Sequence, residues 1–192
     1  MLVLILGLVV FLGMHSIAIL APSARKQWIE RRGAAAWKIP YTLISLVGFA
    51  LIVWGYGLAR ADAPLVYEPP LWGRHLAATL MLFALIFFFA SYIRGRISRF
   101  LKHPQLVAVM IWSVAHLLSN GDLASLVLFG AFLVWAAVDR VSVSRRVAAG
   151  LASDNPGGPL RNDFILIGFG LVVYAVFVLW LHRYLFGVAP LG

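Results

Sequence analysis

The chain has 192 residues, of which 62% are hydrophobic and 12% charged, with a formal net charge of +9 and no cysteine. Ordinary globular domains carry about 25% charged residues, and a domain of this length leaves much of its surface in water, so a soluble fold is excluded. The aliphatic and aromatic content excludes a disordered chain. The missing cysteines remove disulfides, thiolate zinc sites, iron–sulfur clusters and covalent c-type haem, and leave metal or haem held by histidine.

Six apolar segments follow one another: Met1–Ala21, Pro40–Ala59, Leu71–Ile93, Pro104–Ser119, Leu123–Val138 and Asp163–Phe186. Their runs are continuous rather than alternating, which predicts helices and not barrel strands. Each approaches the roughly 20 residues that a bilayer requires. The expectation is an all-α, polytopic integral membrane helical bundle with six transmembrane helices and one domain over residues 1–192.

The first segment reads as a retained span rather than a secretory signal. Its first basic side chain is Arg25, and His15 is foreign to a signal core. Gly13 beside His15 permits close helix packing. Pro40 and Pro104 sit where a helix starts without losing a hydrogen bond. Span four is short, about 24 Å, and asks for its flanks or a locally thin bilayer. Asn120-Gly121-Asp122 is turn chemistry and predicts a tight hairpin of spans four and five. The longest connector, Asp139–Asn162, contains the breaker Asp154-Asn155-Pro156-Gly157-Gly158-Pro159.

Thirteen of the sixteen Lys and Arg residues fall in connectors one, three and five; the others are Arg60, Arg74 and Arg183. The odd connectors are therefore expected in the cytoplasm, with both termini outside. This distribution accounts for the basic balance without nucleic acid, which would ask for a basic face on a soluble fold.

No Asp or Glu lies deep in a span; Asp122, Asp139 and Asp163 are at span ends. A carboxylate proton relay is therefore poorly supported, and the histidines become the residues of interest. His15 lies about 10 Å inside span one, counted from Pro22. It is either a functional imidazole or one satisfied by Ser16 or a nearby carbonyl. His116 lies about 18 Å from the start of span four. Trp112 and Ser113 share its face. A neutral imidazole is a good iron ligand, and the Ser113 hydroxyl can assist it; the alternative is a satisfied polar spot between helices. His75, after Arg74, is the runner-up ligand or an interfacial anchor. His103 reads as an interfacial helix start, and His182 and most of the tryptophans as membrane-interface belt residues.

Taken in order, these motifs resemble a family. Gly13-Met14-His15-Ser16 ends span one, Trp72-Gly73-Arg74-His75 opens span three, and Lys102-His103-Pro104-Gln105-Leu106 opens span four. Trp112-Ser113-Val114-Ala115-His116 then leads through Asn120-Gly121-Asp122-Leu123 to Leu128-Phe129-Gly130. Over nearly its whole length the chain resembles the NnrU family of small bacterial membrane proteins, with residues 103–130 the most specific stretch. The resemblance implies the bacterial inner (cytoplasmic) membrane and a link to nitrite and nitric oxide metabolism, hence denitrification.

That family is related to the plastid 15-cis-zeta-carotene isomerases, which hold a b-type haem through histidines and act in a redox-dependent way. The resemblance implies haem b with His15 and His116 as its axial iron ligands. His75 and Ser113 are further candidates at that site. Those isomerases carry a cysteine where Ser113 stands, and a serine supplies no thiolate for ligand switching. A weaker similarity, to isoprenylcysteine-type membrane methyltransferases, stops at His103-Pro104.

Three functions follow from this reading. The first is a haem-b protein, either a redox protein or a haem-dependent isomerase, acting on a small molecule or a polyene. The second is a small-molecule transporter with a polar path through His15, Ser113, His116, Ser119, Asn120 and Asp122. The third is a non-catalytic assembly factor for denitrification enzymes. The implied partners are the lipid bilayer and such a substrate, not nucleic acid, and the oligomeric state is open.

Overall fold

A computed structural model describes residues 1–191. The helices are α1 (Leu2–Leu20), α2 (Pro22–Arg32), α3 (Ala34–Ala61), α4 (Leu71–Phe89) and α5 (Arg96–Leu101), followed by α6 (Pro104–Ser119), α7 (Leu123–Ala148) and α8 (Leu160–Val176). A π-helical turn, Phe177–Leu181, carries α8 into α9 (His182–Phe186), so 160–186 is one helical stretch. Five stretches, α1, α3, α4, α7 and 160–186, are long and apolar enough to cross a membrane, and α6 is the shorter apolar helix. Among the described residues there is no strand, only the isolated bridge between Leu65 and Asp122.

The apolar side chains face outward in a way water would not tolerate. Leu2 is 70% exposed, Val9 64%, Val53 57% and Phe164 69%. In hydrocarbon such exposure is favourable, while helices keep every main-chain polar group bonded within the segment. The chain is a multi-pass membrane protein.

Two compact units divide the helices. Unit one is Met1–Val66 with Asp122–Ser153; unit two is Tyr67–Gly121 with the chain from Asp154 onward.

In unit one, α3 packs on α1 and α7 packs on both. The α1–α3 seam is built on glycine. A Cβ at Gly7 would lie 2.6 Å from the Ile52 nitrogen, and one at Gly48 would lie 2.8 Å from the Phe11 nitrogen. A Cβ at Gly55 would collide with the backbone of Leu4. Only hydrogen at these positions lets the two backbones meet, the small-residue packing of membrane helices. Gly13, expected to serve this purpose, is exposed with nothing within 4 Å. It lies six residues from Gly7, which at about 3.6 residues per turn places it on another face.

One polar end of unit one is also tied. Asp122 caps α7, its carboxylate accepting from the Ser125 N–H at 2.9 Å and the Ser125 hydroxyl at 2.6 Å. That hydroxyl in turn accepts from Tyr56 Oη on α3 at 2.8 Å.

In unit two, α4 pairs with α6 and α8. A Cβ on Gly73 would meet the Leu118 carbonyl at 2.7 Å, and Tyr174 Oη donates to the Ala78 carbonyl at 3.0 Å. Ile86, Ala90 and Leu166 form the buried core of this unit. The segments flanking α5 and α8 interlock. Asn155 Nδ2 reaches the Ser98 carbonyl at 3.0 Å and hydroxyl at 2.7 Å, and Asn162 Nδ2 donates to the Arg94 carbonyl at 2.8 Å. The carboxylate of Asp163, buried at 4% exposure, accepts the N–H groups of Arg96 at 2.9 Å and Ile97 at 3.1 Å. It thereby satisfies the free donors that open α5.

Several boundaries differ from the sequence expectation. The first connector is mostly helix, with Pro22 at the start of α2, and α3 begins at Ala34, so Pro40 lies inside it. Pro40 supplies no N–H to the Ala36 carbonyl. Helix α7 runs ten residues past Val138, its extension closed by Asp139–Arg146 at 2.6 Å. The Asn120–Asp122 turn is present, but the chain passes there from unit two to unit one. Helix α6 packs on α4, and α7 on α1 and α3.

Candidate functional site

His15 is held within unit one by three helices. Its own helix supplies Phe11, one turn earlier, whose ring stacks on the imidazole at 4.2 Å. Helix α3 supplies Tyr41 at 5.1 Å, and α7 supplies Trp135 edge-on at 5.9 Å. The imidazole Nδ1 lies 2.7 Å from the Phe11 carbonyl. A carbonyl can only accept, so Nδ1 carries a proton and donates it. Ser16 does not satisfy the ring; its hydroxyl bonds to Leu12 O at 2.7 Å.

His116 repeats the arrangement in unit two. Its Nδ1 donates to the Trp112 carbonyl one turn earlier at 2.9 Å, and the Trp112 ring lies 5.2 Å away. Ser113, on the same helix, is fully buried, and its hydroxyl has no hydrogen-bond partner among the described residues. That departs from the usual behaviour of a membrane serine, which bonds to the carbonyl four residues back as Ser16 does. A buried hydroxyl without a partner costs about 1–3 kcal/mol, a state that Ser113 shares with Ser45 and Ser91.

The other histidines differ. His75 is exposed near the start of α4. Gly73 and Ala77, buried and an even turn apart, mark the packed face of that helix, and His75 points about 200° away from Gly73. His103 caps the start of α6 through the main chain and not through its ring. It follows Lys102, whose φ of 61° and ψ of −55° form a γ-turn closed by His103 N–H on the Leu101 carbonyl at 2.7 Å. That turn is strained for any residue with a side chain. His182 follows the π-helical turn, and its Nδ1 donates to the Val188 carbonyl at 2.7 Å.

Sequence reasoning missed the aromatic enclosure of His15. Trp135 reads as a belt residue, yet it packs on the imidazole, and its indole N–H is buried without a partner among the described residues. The spacing of Phe11 and His15 was the legible part of the signal; the contacts of Tyr41 and Trp135 depend on tertiary packing. Among the described residues no three His, Asp or Glu side chains converge as a metal site. The donor set is therefore single imidazoles, the set that holds a b-type haem, and each has the carbonyl-bonded Nδ1 usual for a metal-ligating histidine. On this chemistry the residues fit the group.

Fold and residues together define a polytopic helical membrane protein that carries His15 and His116 on two of its apolar helices. The chain belongs to the NnrU family: the family model described as NnrU protein matches residues 3–190. No curated protein and no solved structure matches it.

Proposed function

We propose that this NnrU-family chain is a haem-b-binding protein of the bacterial cytoplasmic membrane with both termini in the periplasm. The imidazoles of His15 and His116 would be its axial ligands, in a redox or isomerase-type role linked to nitrite and nitric oxide metabolism. The observation that carries the reading is the shared state of the two rings. Each gives its Nδ1 proton to a carbonyl one turn back, at 2.7 Å for His15 and 2.9 Å for His116. This orients the ring and leaves Nε2 as the nitrogen turned away from that carbonyl.

The Phe11 and Trp112 carbonyls hold the ring protons. Phe11, Tyr41 and Trp135 restrict the His15 ring. The Ser113 hydroxyl can donate a hydrogen bond beside His116, and it supplies no thiolate, which favours redox or small-molecule chemistry over isomerisation by ligand exchange. Bound haem would supply one-electron transfer and, with one ligand displaced, an open iron position for a small molecule such as nitric oxide or for a polyene.

The test is spectroscopic. Protein purified from haem-replete cells should show a Soret band and a b-type pyridine haemochrome. His116→Ala should bleach it. Full colour in His116→Ala would overturn the ligand assignment, and a colourless wild type would overturn haem binding.

A further inference from the structure

We propose that α5 and the end of α4 form a binding site for one anionic phospholipid, with the Arg96 guanidinium on the headgroup phosphate and an acyl chain along Phe87, Ile97, Phe100 and Leu101. These residues line a groove of about 370 Å³ within unit two. Its lining is that of an amphiphile site: four apolar residues and one cation. Phe100 is 85% exposed, a position that neither water nor a headgroup layer favours but an acyl chain covers.

Charge complementarity selects the headgroup. Within nine residues the chain carries Arg94, Arg96, Arg99 and Lys102 and no acidic residue. The nearest buried carboxylate, Asp163, is already engaged by the N–H groups of Arg96 and Ile97. It consumes the helix N-terminus, so the site is the guanidinium and not the helix end. The Arg96 side chain has no ion pair among the described residues. An uncompensated guanidinium above an apolar groove matches a phosphate on a hydrocarbon chain, and Arg binds phosphate with two parallel N–H donors.

The site is also built before the lipid arrives. Helix α5 has six residues, too few to hold itself. It is fixed instead by Asp163, by Asn155 on Ser98, and by Arg99 Nε on the Pro156 carbonyl at 3.0 Å. A rigid cradle lowers the ordering cost of binding.

Native mass spectrometry of the full-length protein, delipidated and titrated with phosphatidylglycerol or phosphatidylcholine of identical chains, tests this. Phosphatidylglycerol should be retained about five-fold more strongly, the factor one guanidinium contributes at an anionic lipid surface. Arg96→Gln should remove that preference, whereas Arg60→Gln on α3 should keep it. Phe100→Ala should weaken both lipids alike. The Arg96 bond to Asp163 is made by the main chain, so Arg96→Gln preserves the fold, and its unchanged melting temperature checks this. No preference in the wild type, or the same preference in Arg96→Gln, overturns the proposal. Displacement of the lipid by millimolar inorganic phosphate also overturns it, because the groove would then contribute nothing.

Discussion

Replacing Gly48 by alanine should separate α1 from α3. The added Cβ would lie 2.8 Å from the Phe11 nitrogen and 3.0 Å from its Cα, whereas ordinary contact begins at 3.4 Å. Both are main-chain atoms of a helix, so no side-chain rotation relieves the clash, and the helix must retreat. A gap of about half an ångström forfeits roughly a quarter of each dispersion contact along the seam, and overpacking of this kind costs about 1–3 kcal/mol. Gly57, further along the same helix, has nothing within 4 Å of the point where an added Cβ would lie. Gly57→Ala should therefore be neutral, or more stable by up to about 1 kcal/mol, through helix propensity alone. Tryptophan fluorescence during thermal and SDS unfolding in one detergent would compare the two. Gly7→Ala, against Ile52 at 2.6 Å, should behave as Gly48→Ala does. Equal stability of Gly48→Ala and Gly57→Ala would refute the glycine seam.

Three further outcomes follow from the same structure. Asp163→Ala leaves the buried N–H groups of Arg96 and Ile97 without acceptors and should cost about 2–4 kcal/mol in the same unfolding assay, at about 1–2 kcal/mol each. Lys102→Gly removes the side chain from a residue at φ 61° and should raise stability by about 1 kcal/mol, whereas Lys102→Val should lower it. For topology, the chain has no cysteine, so single substitutions report cleanly: Asp62→Cys should react with an impermeant maleimide in spheroplasts and Gln27→Cys only after lysis. The reverse pattern would invert the orientation.

The spans were legible because hydrocarbon selects long apolar runs, and every expected segment has its helix. Which face of each span packs was not. In a helix apolar all round no periodicity marks the contact stripe, so Gly13 was expected to pack, and only the partner helix shows that Gly7 does so instead. Short α2 and α5 were hidden in basic connectors, since their order comes from Pro22, Asp163 and Asn155 rather than from an apolar pattern. Asp163 itself read as a span end, because a carboxylate that caps a helix sixty-seven residues earlier leaves no local trace. At the candidate site, His15, His116 and Ser113 stood out against an apolar background. The packing of Tyr41 and Trp135 on His15 did not, because both resemble interfacial aromatics until α1, α3 and α7 are assembled.

The most direct measurement is the absorption spectrum of the full-length protein and its His15→Ala and His116→Ala variants, purified from haem-replete bacterial membranes. The expected result is a low-spin b-type haem in the wild type, loss of colour in His116→Ala, and loss of colour or a high-spin spectrum in His15→Ala. A colourless wild type, or two variants that keep the wild-type spectrum at full intensity, would contradict haem ligation by these histidines.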